Sequence, residues 1–456
     1  VQYDVVVIGG GITGAGILRD LALRGIPALL LEKNRPGGAT TASSTHLIHG
    51  GLRYLLYDRL TTHTTCWDSG HIVRTARPLL TRLPILWPVY RDHRHGLETV
   101  ETLLESYDSF QKMKEGKPHL RFSPEETLRL FPLLRKEGLR GSVIFDEWWV
   151  DPVALVNANL ESAKRAGGEF RTGQAATDFL REGGAVKGVR VRSSARTEDI
   201  PARLVINAAG PWVDRVARWA QVDVPLRLRK GTHLLYNRPL GLSARPLGLL
   251  LEAEDRERYV FVIPGPDGAT RVGPTDVEAP EGPEALRASP EEISYLLASV
   301  RRYFPDFPEA HDGATVGARP ILGQAGPEKR LSREFEVYDH AARDGVPGLL
   351  TVAGGKMSDY RLMAEAAGDA AATLLGKLGG IRSHLTTLDG APVDNIPNDR
   401  PPSARFKGFL RRHSRFREAY AWAYLAGGYA RHIFRRLRAP APATAAEVSS
   451  YFSKSA

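Results

Sequence analysis

Long apolar runs broken by glycine set the pattern of this chain. Residues 4–8 read Asp-Val-Val-Val-Ile, an apolar run of strand length without polar alternation, which predicts a strand buried on both faces. Gly9, Gly11 and Gly14 follow. From Ile12 the period changes: Ile12, Ala15, Leu18 and Ala22 fall at helical spacing, predicting a helix over 12–24. A second buried strand is expected over 28–31, ending at Glu32. Segment 66–144 reads as largely helical, with 97–114 its clearest amphipathic stretch. Further on, His233-Leu234-Leu235-Tyr236 and Tyr259-Val260-Phe261-Val262-Ile263 predict strands of an antiparallel sheet. A β-meander is expected over 168–206, with strands at 170–172 and 186–191 and a turn at Gly183-Gly184. Leu204-Val205-Ile206-Asn207 reads as a buried strand, and Thr351 to Lys356 as a strand ending in a glycine turn before a helix over 358–375. The proline-rich stretch 386–404 reads as a linker. Residues 405–438 read as a basic helical region carrying Phe416, Tyr420, Trp422, Tyr424 and Tyr429. No internal repeat is visible.

The first elements carry chemistry. Strand, Gly-x-Gly-x-x-Gly, helix, second strand and terminal acid together form a dinucleotide-binding fingerprint. Gly9 serves the tight turn, Gly11 the approach of a pyrophosphate to the backbone, and Gly14 the close packing of helix on strand. The helix N-terminus, with Ile12 and Thr13 in its first turn, offers N–H groups to the phosphates. Glu32, followed by Lys33, can accept hydrogen bonds from both ribose hydroxyls and would repel a 2′-phosphate. A glycine-rich turn in an unrelated sheet is the alternative, and the register of all the parts weighs against it. This unit leaves FAD and NAD open. The next residues favour FAD: 39–44 read Ala-Thr-Thr-Ala-Ser-Ser, small and hydroxyl-rich. Small residues let a flat ring system lie against the backbone, and hydroxyls can donate to pyrophosphate or ring oxygens.

Composition narrows the class. At 456 residues the chain has room for about three domains or one large interleaved fold. With 42% apolar and 25% charged residues it is an ordinary globular protein. The single cysteine, Cys66, excludes a disulfide framework and any thiolate zinc or iron–sulfur site within the chain, and a reducing compartment fits. No apolar run is long enough to span a membrane, no signal peptide is expected, and the absent initiator Met points to a trimmed N-terminus. Lys plus Arg number 62 against 52 Asp plus Glu, a net charge of +10 that favours anionic partners. The basic residues are spread and no nucleic-acid module is present, so nucleic acid is not an expected partner. No Walker motif and no Gly-x-Ser-x-Gly elbow appears. His93-x-His95 lacks further ligands at metal spacing and reads as a solvated basic loop, so no metal is expected.

Ala42-Ser43-Ser44-Thr45-His46-Leu47-Ile48-His49-Gly50-Gly51-Leu52-Arg53-Tyr54 closely resembles the signature of FAD-dependent glycerol-3-phosphate dehydrogenases. The resemblance continues through Asn207-Ala208-Ala209-Gly210-Pro211-Trp212, Lys230-Gly231-Thr232-His233, Gly317-Ala318-Arg319-Pro320 and Gly354-Gly355-Lys356, covering residues 3 to about 380. It implies an α/β fold: a Rossmann-like FAD domain of the glutathione-reductase/D-amino-acid-oxidase type, interleaved with an antiparallel-sheet substrate domain. The FAD domain is expected from 1–65, 145–215 and 346–380, the substrate domain from 66–144 and 216–345, and a shortened C-terminal helical region from 386–456. Four positions, in three places, depart from the family pattern: His46 stands where lysine is usual, Pro274 where a free N–H is common, and Ser358-Asp359 where Thr-Thr is typical.

The resemblance also implies a site. FAD would be held by Gly9, Gly11, Ile12, Thr13, Gly14, Glu32 and Lys33. Thr41, Ser43, Ser44, His46, Leu47, Ile48 and His49 would follow along it, and a backbone group near Ala175 or Ala176 would meet the adenine. Ala208, Ala209, Gly210, Trp212, Arg319, Gly354, Gly355, Lys356 and Met357 would complete it. Oxidising a secondary alcohol needs a base, a hydride acceptor, charge for the alkoxide and an anchor for the phosphate. His233 takes the role of base, and Arg319 that of alkoxide support. Arg53, Tyr54 and Arg333 would hold the phosphate, His49 adjoin flavin or substrate, and Lys356 favour flavin reduction or reach the substrate phosphate.

The implied activity is oxidation of sn-glycerol 3-phosphate to dihydroxyacetone phosphate, with hydride passed to flavin N5 and electrons to membrane quinone. A peripheral protein on the cytoplasmic side of an anionic membrane surface follows, docked through 79–94 or the C-terminal helices, and a homodimer is a further expected partner. An oxidase passing electrons to oxygen, a related FAD amine or amino-acid oxidase, and a flavin-binding protein without turnover are the other readings.

Overall fold

The computed structural model describes residues 3–52, 55, 59–279, 281–323, 335–377, 380, 383–394, 414–438 and 442–453. Its first strand, Tyr3–Ile8, lies between two parallel neighbours, Ala28–Glu32 and Thr197–Asn207. Leu349–Gly354 continues the parallel order beyond Thr197–Asn207, and Glu169–Thr172 beyond Ala28–Glu32. The antiparallel strand Phe335–Asp339 closes one edge. Strand periodicity sends Val5 and Val7 into one core and Val6 and Ile8 into the other, which is why the run carries no polar residue after Asp4. On one face the helix Ile12–Leu23 packs between Pro152–Arg165 and Tyr360–Leu375. The other face is covered by the meander Ala175–Glu182, Ala185–Arg192 and the first half of Thr197–Asn207.

A second, ten-stranded sheet follows the order Val277–Glu278, Leu226–Tyr236, Thr270–Gly273, Tyr259–Pro264, Gly248–Glu252, Leu80–Tyr90, Leu139–Val150 and Leu47–Ile48. Gly313–Leu322 pairs with Leu226–Tyr236 from Leu226 to Leu235, and Leu120–Phe122 pairs with Leu139–Val150. Only Gly248–Glu252 and Leu80–Tyr90 run parallel among these pairings.

This corrects the reading of 66–144 as largely helical. Arg59–Thr75, Leu97–Gln111 and Pro124–Leu130 are helices, but Leu80–Tyr90 and Leu139–Val150 are long strands, of 11 and 12 residues, paired with each other in the second sheet. An uninterrupted apolar run cannot be assigned to helix or strand by period, and Pro84 and Pro88 exclude a helix interior. The same strand removes 79–94 as a bilayer-docking segment, since Leu83, Ile85, Leu86 and Trp87 are buried in the core. Residues 145–150, expected with the FAD part, complete a strand of the second sheet, while Phe335–Asp339, expected with the substrate part, joins the first. The helix Ser414–Arg438 packs on Leu97–Gln111. The last helix, Ala445–Phe452, begins at a capping box of Thr444 and Glu447 and anchors Tyr451 to Asp146 at 2.8 Å. Among the described residues no helix is long and apolar enough to cross a membrane.

Candidate active site

All the parallel strands of the first sheet end on one edge, where open α/β sheets bind ligands. A cavity of about 1870 Å³ starts there, between Gly9 and Glu32, and runs to Lys356 and His233 under the second sheet. It exceeds the ordinary ligand pocket and is large enough for a dinucleotide together with a small substrate.

The glycines at the first end have distinct duties. Gly9 has φ +109°, and a Cβ there would meet the Ala208 carbonyl oxygen at 2.6 Å; at Gly14 it would meet the Gly9 carbonyl oxygen at 1.9 Å. Neither position admits a side chain. At Gly11 the nearest atom to such a Cβ is Thr41 Oγ1 at 3.5 Å, so this glycine faces the open cavity where a phosphate would approach. Ile12 N–H donates to Thr41 Oγ1 at 3.3 Å. The Glu32 carboxylate accepts from the N–H groups of Gly10 and Asn34, both at 2.7 Å, which fixes it on the wall. Lys33 Nζ lies 4.2 Å from the centre of a Trp212 ring.

The other end is assembled by sheet register. Leu226–Tyr236 pairs antiparallel with Gly313–Leu322, placing Arg229 opposite Arg319, Gly231 opposite Gly317 and His233 opposite Thr315. Alternation then puts Gly231, His233 and Arg319 on one face. Gly231 makes room: a Cβ there would lie 2.2 Å from Arg319 Nη2. Arg319 donates to Asp276 Oδ1 and to the Thr275 carbonyl, both at 3.0 Å, and Arg229 Nε donates to the same Asp276 oxygen at 2.7 Å. His233 is 3% exposed. Its Nε2 lies 3.0 Å from Thr45 Oγ1, and its Nδ1 has no hydrogen-bond partner among the described residues. Burial, reinforced by the Arg319 cation, pushes its pKa down to about 3, so the imidazole is neutral at pH 7.

Lys356 reaches the cavity wall, with Nζ donating to Thr65 Oγ1 at 2.7 Å and to Asp359 Oδ2 at 2.6 Å. Asp359, a departure from the family pattern, is thus the counter-ion of the lysine. His49 lies on the wall; its N–H donates to Ser358 Oγ at 3.0 Å and its carbonyl accepts from Ser69 Oγ at 3.1 Å. Thr13, Ser43, Ser44, Leu47, Ala176, Ala208, Ala209, Gly210, Gly354, Gly355 and Met357 also line the cavity.

Four expected cofactor residues stand off the wall. Gly14 acts through helix–strand packing, Ile48 is in the core, and Ala175 lies one residue from the lining position. His46 is buried beside Trp149 with ring centroids 5.9 Å apart, in a left-handed conformation at φ +59°. Burial, and then the Arg271 charge, push its pKa down to about 4, so it does not replace the charge of the usual lysine. Arg53, Tyr54 and Arg333 lie outside the described residues. His93 is not in a merely solvated loop, since its Nε2 lies 2.9 Å from Tyr303 Oη. Sequence reasoning missed Thr45 as the partner of His233 and Asp276 as that of Arg319. Thr45 stands in a quoted motif and Asp276 two residues beyond Pro274, but only the strand pairing shows whom they meet.

A family model described as FAD dependent oxidoreductase matches residues 4–361. An aerobic glycerol-3-phosphate dehydrogenase from Staphylococcus haemolyticus is 31% identical over 428 residues, which cover 90% of this chain and 74% of the relative. One from Staphylococcus aureus is 32% identical over 376 residues, covering 80% of this chain and 66% of the relative, so the chain spans about two thirds of that protein's length. The crystal structure of a glycerol-3-phosphate dehydrogenase from Bacillus halodurans complexed with FAD matches with a TM-score of 0.67 at 26% identity, over 91% of this chain and 72% of that one. An L-α-glycerophosphate oxidase from Mycoplasma pneumoniae with FAD bound shares the fold, with a TM-score of 0.61 at 18% identity over 84% of this chain and 97% of that one.

Proposed function

The chain belongs to the FAD-dependent oxidoreductase family, in the branch of the aerobic glycerol-3-phosphate dehydrogenases, and from that premise we propose that it oxidises sn-glycerol 3-phosphate to dihydroxyacetone phosphate. FAD is its cofactor. The observation that carries the substrate reading is the placement of a neutral buried imidazole, His233, and the Arg319 guanidinium on one sheet face at the cavity wall.

Bound in the cavity, FAD supplies the two-electron acceptor. His233 accepts the proton of the substrate's secondary hydroxyl at Nε2, the nitrogen beside Thr45 on the cavity wall. Arg319 stabilises the developing alkoxide, and Asp276 keeps its guanidinium from swinging away. Arg53, Tyr54 and Arg333 hold the phosphate, so that binding energy remote from the reacting carbon orients it. Lys356 adds positive charge at the end of the cavity opposite the Gly9 turn.

Electrons pass to membrane quinone from a peripheral position on the cytoplasmic face of an anionic membrane. The net charge of +10 supports this, as does the helix Ser414–Arg438, which exposes Phe416, Trp422, Phe434 and Leu437 among arginines. A homodimer is part of the same reading. The test is an anaerobic spectrum of the purified protein. Bleaching of the flavin band near ~450 nm by sn-glycerol 3-phosphate, with glycerol and amino acids inert, supports the substrate; bleaching by an amino acid instead overturns it. Adding oxygen or a quinone to the reduced protein then separates an oxidase from a dehydrogenase.

A further inference from the structure

The loop at residues 49–51 is held by side chains from three separate elements. His49 is fixed at its N–H by Ser358 and at its carbonyl by Ser69. Gly50 N–H donates to Glu147 Oε2 at 3.2 Å, and its carbonyl accepts from Cys66 Sγ at 3.6 Å. Gly51 carbonyl accepts from Thr62 Oγ1 at 3.3 Å. The helix Arg59–Thr75 supplies Thr62, Cys66 and Ser69, which fall on one helical stripe. Gly50 has no room for a side chain, since a Cβ there would lie 2.1 Å from Tyr107 Oη and 2.3 Å from Cys66 Sγ.

Glu147 is the one charged group in this set. It sits on the strand Leu139–Val150, is 3% exposed, and lines the cavity together with His49, Gly51 and Leu52. Its carboxylate pairs with the buried Lys114 ammonium and accepts from Tyr107 Oη at 2.8 Å. Lys114 Nζ also donates to the Asp146 carbonyl at 2.7 Å. Burial pushes the Glu147 carboxyl up and the Lys114 charge opposes it. A buried ion pair of this kind adds little stability over a well-packed apolar pair, because both ions must leave water. Three donors converging on one carboxylate at a cavity wall therefore call for a reason other than stability.

We infer that Glu147, neutralised by Lys114, is a positioning residue: it fixes the His49–Gly51 loop, and through that loop the placement and electrostatic balance of the flavin ring. The inference rests on the proposed function, in the reading that sets His49 beside the flavin and Lys356 near it. Glu147 does not take part in proton transfer. Its work is to hold the Gly50 N–H with a charge-assisted bond while presenting no net charge to the ring.

The experiment reads the midpoint potential of the bound flavin and the anaerobic rate of its bleaching by sn-glycerol 3-phosphate. Glu147→Gln leaves the Lys114 ammonium uncompensated, so the potential is expected to move positive. Bleaching is expected to slow about tenfold through the loosened loop, with a much smaller change in the substrate concentration for half-maximal rate. The double variant Lys114→Met with Glu147→Gln removes both charges, and is expected to bring the potential back toward wild type. A purely structural role predicts the double to be as displaced as the single or more so, and that result overturns the inference. Lys356→Met tests the placement itself and is expected to move the potential negative. If it does so while Glu147→Gln does not move the potential, the inference fails and the placement stands. If none of the variants moves it, the placement fails and the inference with it. Should Glu147→Gln not retain FAD, Tyr107→Phe is read instead: it removes one donor from the carboxylate, so the potential should shift negative, and an unchanged value overturns the inference.

Discussion

The two ends of the cavity are built in opposite ways. The dinucleotide end comes mostly from one contiguous segment, with backbone, three glycines and one carboxylate doing the work between Gly9 and Glu32. The substrate end gathers His233, Arg319, Asp276, Thr45 and Lys356 from five separate stretches, brought together by the register of two strands and a strand–helix turn. The first end tolerates almost no change in volume. The second depends on where charges are held. Damage to the first should therefore show in cofactor retention, and damage to the second in rate with cofactor kept.

The largest expected effect is at His233. His233→Ala should lower the rate of flavin reduction by about 10²- to 10⁴-fold, with the ~450 nm band retained; loss of the band instead would erase the distinction between the ends. Gly14→Ala should do the reverse, because its Cβ would press on the Gly9 carbonyl oxygen. Such overpacking costs about 1–3 kcal/mol, and the purified protein should be largely colourless, with a lowered melting temperature.

Acid should weaken the second sheet next, and the first with it, since buried His71 and His340 beside the first sheet are also depressed. Burial is the first cause depressing the pKa of His46 and His93 to about 4 and of His233 to about 3, and all three border the second sheet. Each stays neutral when folded, whereas its unfolded counterpart takes up a proton below about 6.5. The unfolded state then binds more protons, so stability is full above about pH 6.5 and drains toward about pH 4, by up to ~1.4 kcal/mol per pH unit for each histidine. Hydrogen exchange should show the strands around His233 loosening as the pH falls from about 6.5 toward about 4; exchange unchanged over that range would count against the assignment of a neutral buried His233.

Smaller effects refine the charged end. Asp276→Asn should weaken the hold on Arg319 and reduce kcat/KM about tenfold, ~1.4 kcal/mol, with FAD affinity unchanged by titration of the apoprotein. Thr45→Val should remove only the hydrogen bond to His233, worth about 0.5–1.5 kcal/mol, and slow reduction a few-fold; a loss as large as that of His233→Ala would make Thr45 a participant rather than a support.

How much of this was legible depends on the range of the interaction. The apolar run 4–8, the glycine spacing and the helix beginning at Ile12 were readable because each is a local consequence of strand burial, positive φ or helical period. Leu80–Tyr90 was misread because a strand buried on both faces loses its alternation. His46 had the motif position expected of a cofactor neighbour, yet its left-handed backbone turns its ring toward Trp149.

By itself the sequence determined the dinucleotide unit, the family and the residue types available for chemistry, since these depend on spacing along the chain. Only the tertiary structure decided that Asp276 holds Arg319, that Thr45 meets His233, that Asp359 pairs with Lys356, and that Glu147 reaches Gly50 across 97 residues. The physical reason is that hydrogen bonds and charges act over a few ångströms in space, and strand register, not sequence distance, sets which side chains come that close.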